Sequence, residues 1–325
     1  MSEFLAILIQ ALYTGAEWAL IAVGFGFIAR TTNIFHLALG ALFSVGGYAV
    51  FLLAVQYGLP LIPIVIVAAV LAGLLGSAID RFIYQPVTGL YGQRKINHLA
   101  PFVTSLGVMI VLRNLIQLWF GASPIYIQQP DFGIADIGGA KVQAWNLLKV
   151  AISIAACFAF AVWLRRTRAG TSAMALGQSA EGASVIGVSE KTVRFQIFLA
   201  TGCLAGLGGG LAILSHPTLP GDGFPIVLYG ALISLILPKA GVMVWWLASV
   251  GAAFIYAQAI TSIGGGWQDT ILQGVLMLGI VISRVVIPGY QRYAMLRHGA
   301  RQRQQGKDTG NSATTAKAAA QSDGR

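Results

Sequence analysis

Apolar residues along this chain gather into long uninterrupted runs separated by short polar breaks. The runs cover 4–29, 35–56, 61–84, 99–120, 146–164, 195–214, 241–261 and 268–288. A bilayer core about 30 Å thick needs about 20 apolar residues in helical form, and most of these runs are of that length. One further run, 225–237, is barely half as long. It predicts either a short tilted crossing or a re-entrant segment. The pattern predicts an all-α fold, a polytopic transmembrane helix bundle of about 8–9 spans. It occupies 1–290, and a basic, unstructured tail follows at 291–325, because residues 302–325 hold too few bulky apolar groups to fold alone.

Composition agrees with the pattern. The chain has 325 residues, 56% of them hydrophobic and 10% charged, and its mean hydropathy is +0.74. Soluble domains carry about a quarter charged residues, so these charges could not cover a water-soluble surface. The net charge of +10 lies largely near span ends and in the tail, which points to membrane lipid as a partner and not to nucleic acid. The N-terminus begins with acidic Glu3 and lacks the basic start of a cleavable leader.

Lysine and arginine mark cytoplasmic loops. They gather at Arg30, at Arg81, Arg94 and Lys95, at Arg165 to Lys191 and Arg194, and at Arg292 to Arg303, whereas the alternate loops 57–60, 121–145 and 215–224 are neutral or acidic. The expected orientation is N-terminus outside and C-terminus cytoplasmic. It needs an even number of crossings after Arg194, which is met if 225–237 crosses.

Many of the 40 glycines fall inside the runs, as Gly73 and Gly76, Gly202 and Gly206, Gly208 to Gly210, and Gly264 to Gly266. Small residues let helix backbones approach closely in lipid, so these predict tight helix packing. Cys157 and Cys203 lie in apolar runs and read as core.

Polar groups at membrane depth are costly, and each is a candidate for function. Glu17 lies midway along the first run, facing the bundle or a wet cavity if ionised, hydrogen-bonded to a neighbouring helix if neutral. Arg113, Asn114 and Gln117 lie in the fourth run, with 113 and 117 on one helix face. They suit interhelical hydrogen bonds or the lining of a translocation path. His36 stands at the turn into the second run, and His216 in SHPTLPGDG at an outer helix end. No His, Cys or carboxylate spacing fits a metal. HExxH, a G-x-S-x-G elbow and a phosphate loop are absent from the sequence, so neither catalysis nor ATP hydrolysis is expected of this chain, and no cofactor is expected.

The stretch MALGQSAEGASVIGV (174–188) is soft, rich in small residues and placed between cytoplasmic basic clusters. It predicts a short helix on the inner surface, stopped at Gly187, which either enters a groove on a partner or is an ordinary interfacial connector. With its flanks, TRAGTSAMALGQSAEGASVIGVSEKTVRFQIFLATGCLAGLGGGL, it resembles the cytoplasmic loop and following span of the branched-chain amino acid ABC transporter permease family. NIFHLALGALFSVGGY (33–48) resembles that family's Asn-x-x-His start of the second span, and PFVTSLGVMIVLRN (101–114) resembles another of its spans. The resemblance covers roughly 5–215. The chain departs from it at Met174, Leu37 and LILPKAGVMVW (235–245).

The resemblance implies a permease subunit of a binding-protein-dependent ABC importer in the bacterial inner membrane, carrying branched-chain amino acids or related small solutes. Its partners would be a second permease, identical or similar, a cytoplasmic ATPase dimer that binds the ATP, and a periplasmic solute-binding protein. It implies an ATPase-coupling helix, here with Met174, Ala175, Gln178, Ala180, Glu181, Ala183 and Gly187; the candidates for the translocation path are Glu17, Asn33, His36, Thr104, Asn114 and Gln117. The alternative is a stand-alone secondary transporter or channel that uses intramembrane polar groups. It predicts inverted internal repeats, and the sequence shows no persuasive one.

Overall fold

The computed structural model describes residues 2–90, 99–128, 133–137, 140–185, 187–263 and 266–286. The basic positions Arg94 and Lys95, Asp131, and the tail from 287 onward lie outside them. The chain divides into one compact unit, Met1–Leu276, and a second, Met277–Arg325. In the second, the described residues finish a helix and continue as a π-helical turn, Ile282–Val286.

The fold is an α-helical bundle. Its helices are α1 (Ser2–Thr32), α2 (Ala38–Tyr57), α3 (Leu61–Ile79), α4 (Gln85–Leu90), α5 (Leu99–Phe120), α6 (Ala144–Arg166), α7 (Arg168–Gln178), α8 (Ala180–Val185), α9 (Glu190–Ile213), α10 (Gly223–Ile236), α11 (Val242–Ile263) and α12 (Gln268–Val281). Among the described residues, seven helical segments are long and apolar enough to cross a membrane. α10 is apolar but has only 14 residues, about 21 Å of helix. The long loop expected at 121–145 carries a small hairpin, β1 (Ile134–Ile137) against β2 (Ala140–Gln143), antiparallel with Ile134 opposite Gln143.

Lipid gives helices little hydrophobic reason to associate, so close backbone approach must supply the packing. The glycines do so around α9, which contacts α1, α2 and α3. Gly202 of α9 faces Gly73 of α3, and Gly206 faces Ala72 and Ala69. Gly209 lies so close to the Phe43 carbonyl of α2 that an added methyl would overlap it. Gly208 meets Phe43 and the Glu17 backbone on a third side. The Gly202/Gly206 face is thereby used inside the chain, against α3.

α3 runs through a π-helical turn, Asp80–Tyr84, into α4. Such turns displace the helix register and are frequent at functional positions. This one presents two buried polar groups to neighbours. Arg194 of α9 donates to Asp80 Oδ1 at 2.5 Å, with Gln85 on Oδ2 at 2.9 Å. The Tyr84 hydroxyl lies 2.9 Å from His36 Nδ1.

The stretch 174–188, expected as one helix, forms two. α7 ends at Gln178, and Ser179 starts α8 by accepting from the Gly182 N–H at 3.0 Å. Serine competes for backbone donors and favours caps over helix interiors, which explains the break. Gly187 stops α8 with φ +79°, and the Val188 N–H closes on the Ala183 carbonyl at 3.0 Å.

Candidate functional site

Between α9 and α10 the chain leaves helix over 214–222, with Thr218 and Pro220 buried and His216, Pro217 and Leu219 exposed. α9 ends at Ile213, and α10 begins at Gly223 against the Gly40 carbonyl and Ser44 of α2. α10 then follows α1: Tyr229 packs at a tilt against Trp18, in the middle of α1, with ring centroids 4.8 Å apart, and Ser234 sits beside Gly26. Past its end, Lys239 lines one cavity with Arg30 and Arg165, the last-turn cations of α1 and α6. Residues 214–222 are therefore irregular, and the helix that follows them, Gly223–Ile236, is apolar but shorter than the seven candidate spans.

Irregular backbone at membrane depth survives only where protein or a wet cavity satisfies its polar groups. Thr218 exchanges both backbone hydrogen bonds with Ile125, at 3.0 and 2.8 Å. The Tyr48 hydroxyl donates to the Thr218 carbonyl at 3.4 Å, and the Leu219 N–H donates to Asp222 Oδ2 at 2.7 Å. Discontinuous spans form solute sites in transporters, with a half-helix N-terminus directed at the cavity.

The cavity at this break has a volume of about 370 Å³ and is lined by Arg113, Gln117, Ala122 and Leu219 to Asp222. The Arg113 guanidinium presses on Gly221, where a methyl would meet it at 3.1 Å. No carboxylate pairs with Arg113 among the described residues. Arg113, Asn114 and Gln117 are all exposed on α5. Asn114 turns its amide back to the Ile110 carbonyl at 2.8 Å. Polar groups on a membrane helix do not face lipid when an aqueous or protein surface is within reach, so this side of α5 is built to be covered or wetted.

The other expected path residues scatter. Thr104 bonds the Ala100 carbonyl at 2.8 Å within its own helix. Asn33 is exposed, with φ 54°, at the turn leaving α1, a backbone form asparagine tolerates. His36 is buried between Tyr84 and Phe198, and its Nε2 has no hydrogen-bond partner. Its Nδ1 lies 2.9 Å from the Tyr84 hydroxyl, and its ring packs edge-on against both neighbours.

Glu17 is buried and ionically paired. Lys149 of α6 donates to Glu17 Oε1 at 2.5 Å and to Ser215 Oγ at 3.0 Å. His216 Nε2 lies 3.3 Å from Glu17 Oε2. The cluster ties α1 to α6 and to the first residues of the irregular stretch. Sequence reasoning missed Lys149, although a lone cation inside the run 146–164 was a readable signal. Asp80 was missed as well, and Arg194 stood as one loop cation among several.

On the coupling stretch, Ala183 is 3% exposed, Met174 37% and Val185 86%. Ala175 is half-buried, while Gln178 and Gly187 are exposed. The side chains of Ala180 and Glu181 lie outside the described part. Among the described residues of this region, Val185 is the most exposed large apolar side chain, with Met174 less so. Among the described residues no group of three or more His, Cys, Asp or Glu side chains could hold a metal.

A polytopic helical bundle with a polar cavity beside a break between two of its helices fits a membrane transport protein. The model of the family described as branched-chain amino acid transport system permease components matches residues 7–282, and the chain belongs to that family. It is similar to the high-affinity branched-chain amino acid transport system permease BraD of Pseudomonas aeruginosa, with 23% identity over 308 residues, 88% of this chain and 96% of the relative. LivH, a permease of the same description from Escherichia coli K12, is 23% identical over 228 residues, 65% of this chain and 72% of its own. The galactose/methyl galactoside import permease MglC of Escherichia coli K12 is 29% identical over 119 residues, 35% of each chain.

Proposed function

We propose that this chain is the permease subunit of an ATP-driven, binding-protein-dependent importer, carrying half of a path for branched-chain amino acids or a closely related zwitterion. The observation that carries this reading is the cavity at the break between α9 and α10. Arg113 and Asp222 line the same 370 Å³ space, so a carboxylate and an ammonium on one small molecule each find a partner of opposite sign. Asn114 and Gln117 continue the polar surface along α5, which a second permease subunit, identical or similar, completes from its own side.

The partners follow from the family. Two cytoplasmic ATPases bind the nucleotide and seat against α7 and α8, with Val185 as the protruding contact. A periplasmic binding protein delivers solute at the opposite end. Counting 214–236 and the segment 268–286 as crossings beside the seven long helices gives nine, with the N-terminus outside and the C-terminal tail in the cytoplasm of a bacterial inner membrane.

Uptake by proteoliposomes containing the full complex tests the path. Arg113→Gln and Asp222→Asn are each expected to lower solute uptake at least tenfold while subunit recovery stays normal. Wild-type uptake in both variants would remove the cavity from the path. Uphill uptake by this chain alone under a proton gradient would overturn the importer reading as a whole.

A further inference from the structure

A second cavity, of about 540 Å³, opens at the end of the bundle opposite the solute cavity. Arg30, Arg165 and Lys239 line it from three separate elements, and all three are exposed. None of them has a carboxylate partner among the described residues. The inner wall is hydrocarbon: Phe27, Leu164 and Trp245 are 4%, 7% and 2% exposed. Phe27 lies one turn before Arg30 on α1, and Leu164 precedes Arg165 at the end of α6. Cations therefore ring the mouth at the span ends, and apolar surface continues from there toward membrane depth.

A small hydrophilic anion would satisfy the mouth and leave the apolar wall bare. An acidic protein segment would need to enter the bilayer region to reach it. An amphiphile with an anionic head and a hydrocarbon tail matches both parts, and basic pockets between transmembrane helices on the cytoplasmic side take anionic lipid head groups. The volume lies within the roughly 300–1,000 Å³ usual for small-molecule sites.

We propose that this cavity binds the head group and upper chain of an anionic phospholipid. The opposite wall includes Met174, Gly177 and Gln178 of α7. Gly177 itself packs on the end of α1, with room for a methyl only 3.2 Å from the Arg30 carbonyl. A bound lipid therefore touches α7 and the ends of α1 and α6 together, and its presence bears on how firmly α7 is seated. This proposal depends on neither the identity of the solute nor the path at Arg113.

The test is titration of the full-length permease in neutral detergent with phosphatidylglycerol or phosphatidylcholine of identical chains, counting bound lipid by native mass spectrometry. Wild type is expected to retain phosphatidylglycerol at least tenfold more strongly. The variant R30Q/R165Q/K239Q is expected to lose that preference, and the charge-matched control R81Q/R168Q/K191Q to keep it. Equal retention by wild type and R30Q/R165Q/K239Q overturns the proposal. Displacement of the lipid by millimolar inorganic phosphate overturns it too, by making this a free-anion site. So does loss of a co-purifying ATPase from the variant in lipid-free detergent, which would assign the cavity to a protein partner. If the triple variant unfolds early, R30Q, R165Q and K239Q singly are each expected to lower retention several-fold, and no change in any of them is equally fatal.

Discussion

At the scale of single residues, buried charge dominates this molecule. Glu17 and Lys149 are 1% and 0% exposed, and their 2.5 Å contact offsets a desolvation penalty that neither could bear alone. Removing one partner of such a pair costs about 3–5 kcal/mol, whereas replacing both with apolar groups of like size is often nearly neutral. Lys149→Met is therefore expected to lower the thermal midpoint sharply in detergent, and Glu17→Leu/Lys149→Met to recover most of the loss. A double variant as unstable as the single one would show that Ser215 and His216 depend on the ions themselves. Of this cluster, Glu17 was legible in sequence because a carboxylate midway along an apolar run is conspicuous. Its partner was not, since spacing of 132 residues carries no local signal. Arg194 and Asp80 escaped for a related reason: each sits close enough to a span end to pass for an ordinary loop charge.

At the scale of elements, the spans were legible because a helix in lipid must satisfy its own backbone over the full membrane thickness. That demand writes a run of fixed length into the sequence. Two features broke the rule. The motif SHPTLPGDG reads as loop at any depth, because proline and glycine end helices in water and in protein alike. The break at Ser179 depends on one hydroxyl capping one amide. The glycines of α9 show the opposite case, where local sequence predicted close packing but not its partner. Gly209→Val is expected to destabilise by about 3 kcal/mol or more, since the clash is with the Phe43 backbone carbonyl and not with a movable side chain. Limited proteolysis and thermal unfolding of the purified chain would measure it. A fully stable variant would mean that α2 and α9 are free to part.

At the scale of the whole molecule, the two ends differ in chemistry. One holds the Arg113/Asp222 cavity and the other holds Arg30, Arg165, Lys239 and the α7–α8 stretch. The proposed importer would need a stiff connection between ATPase docking at one end and a solute gate at the other, and α1 is the element that would supply it. It runs unbroken from Ser2 to Thr32 and touches α6, α7, α9, α10 and α11. Val185, 86% exposed on α8, is where a partner is expected to grip. Val185→Asp should abolish recovery of the ATPase in a pull-down from native membranes and leave the permease itself folded. Undiminished recovery would move the docking surface elsewhere.

The break ahead of α10 also constrains how the protein is made. At 14 residues, α10 offers the insertion machinery too little hydrocarbon to partition into lipid by itself, and the stretch ahead of it carries His216 and Asp222. Neither part is at home in the membrane until Ile125, Tyr48 and the face of α1 are waiting for it. Stable placement of this region is therefore expected to depend on α1, α2 and the segment at Ile125 being in place already.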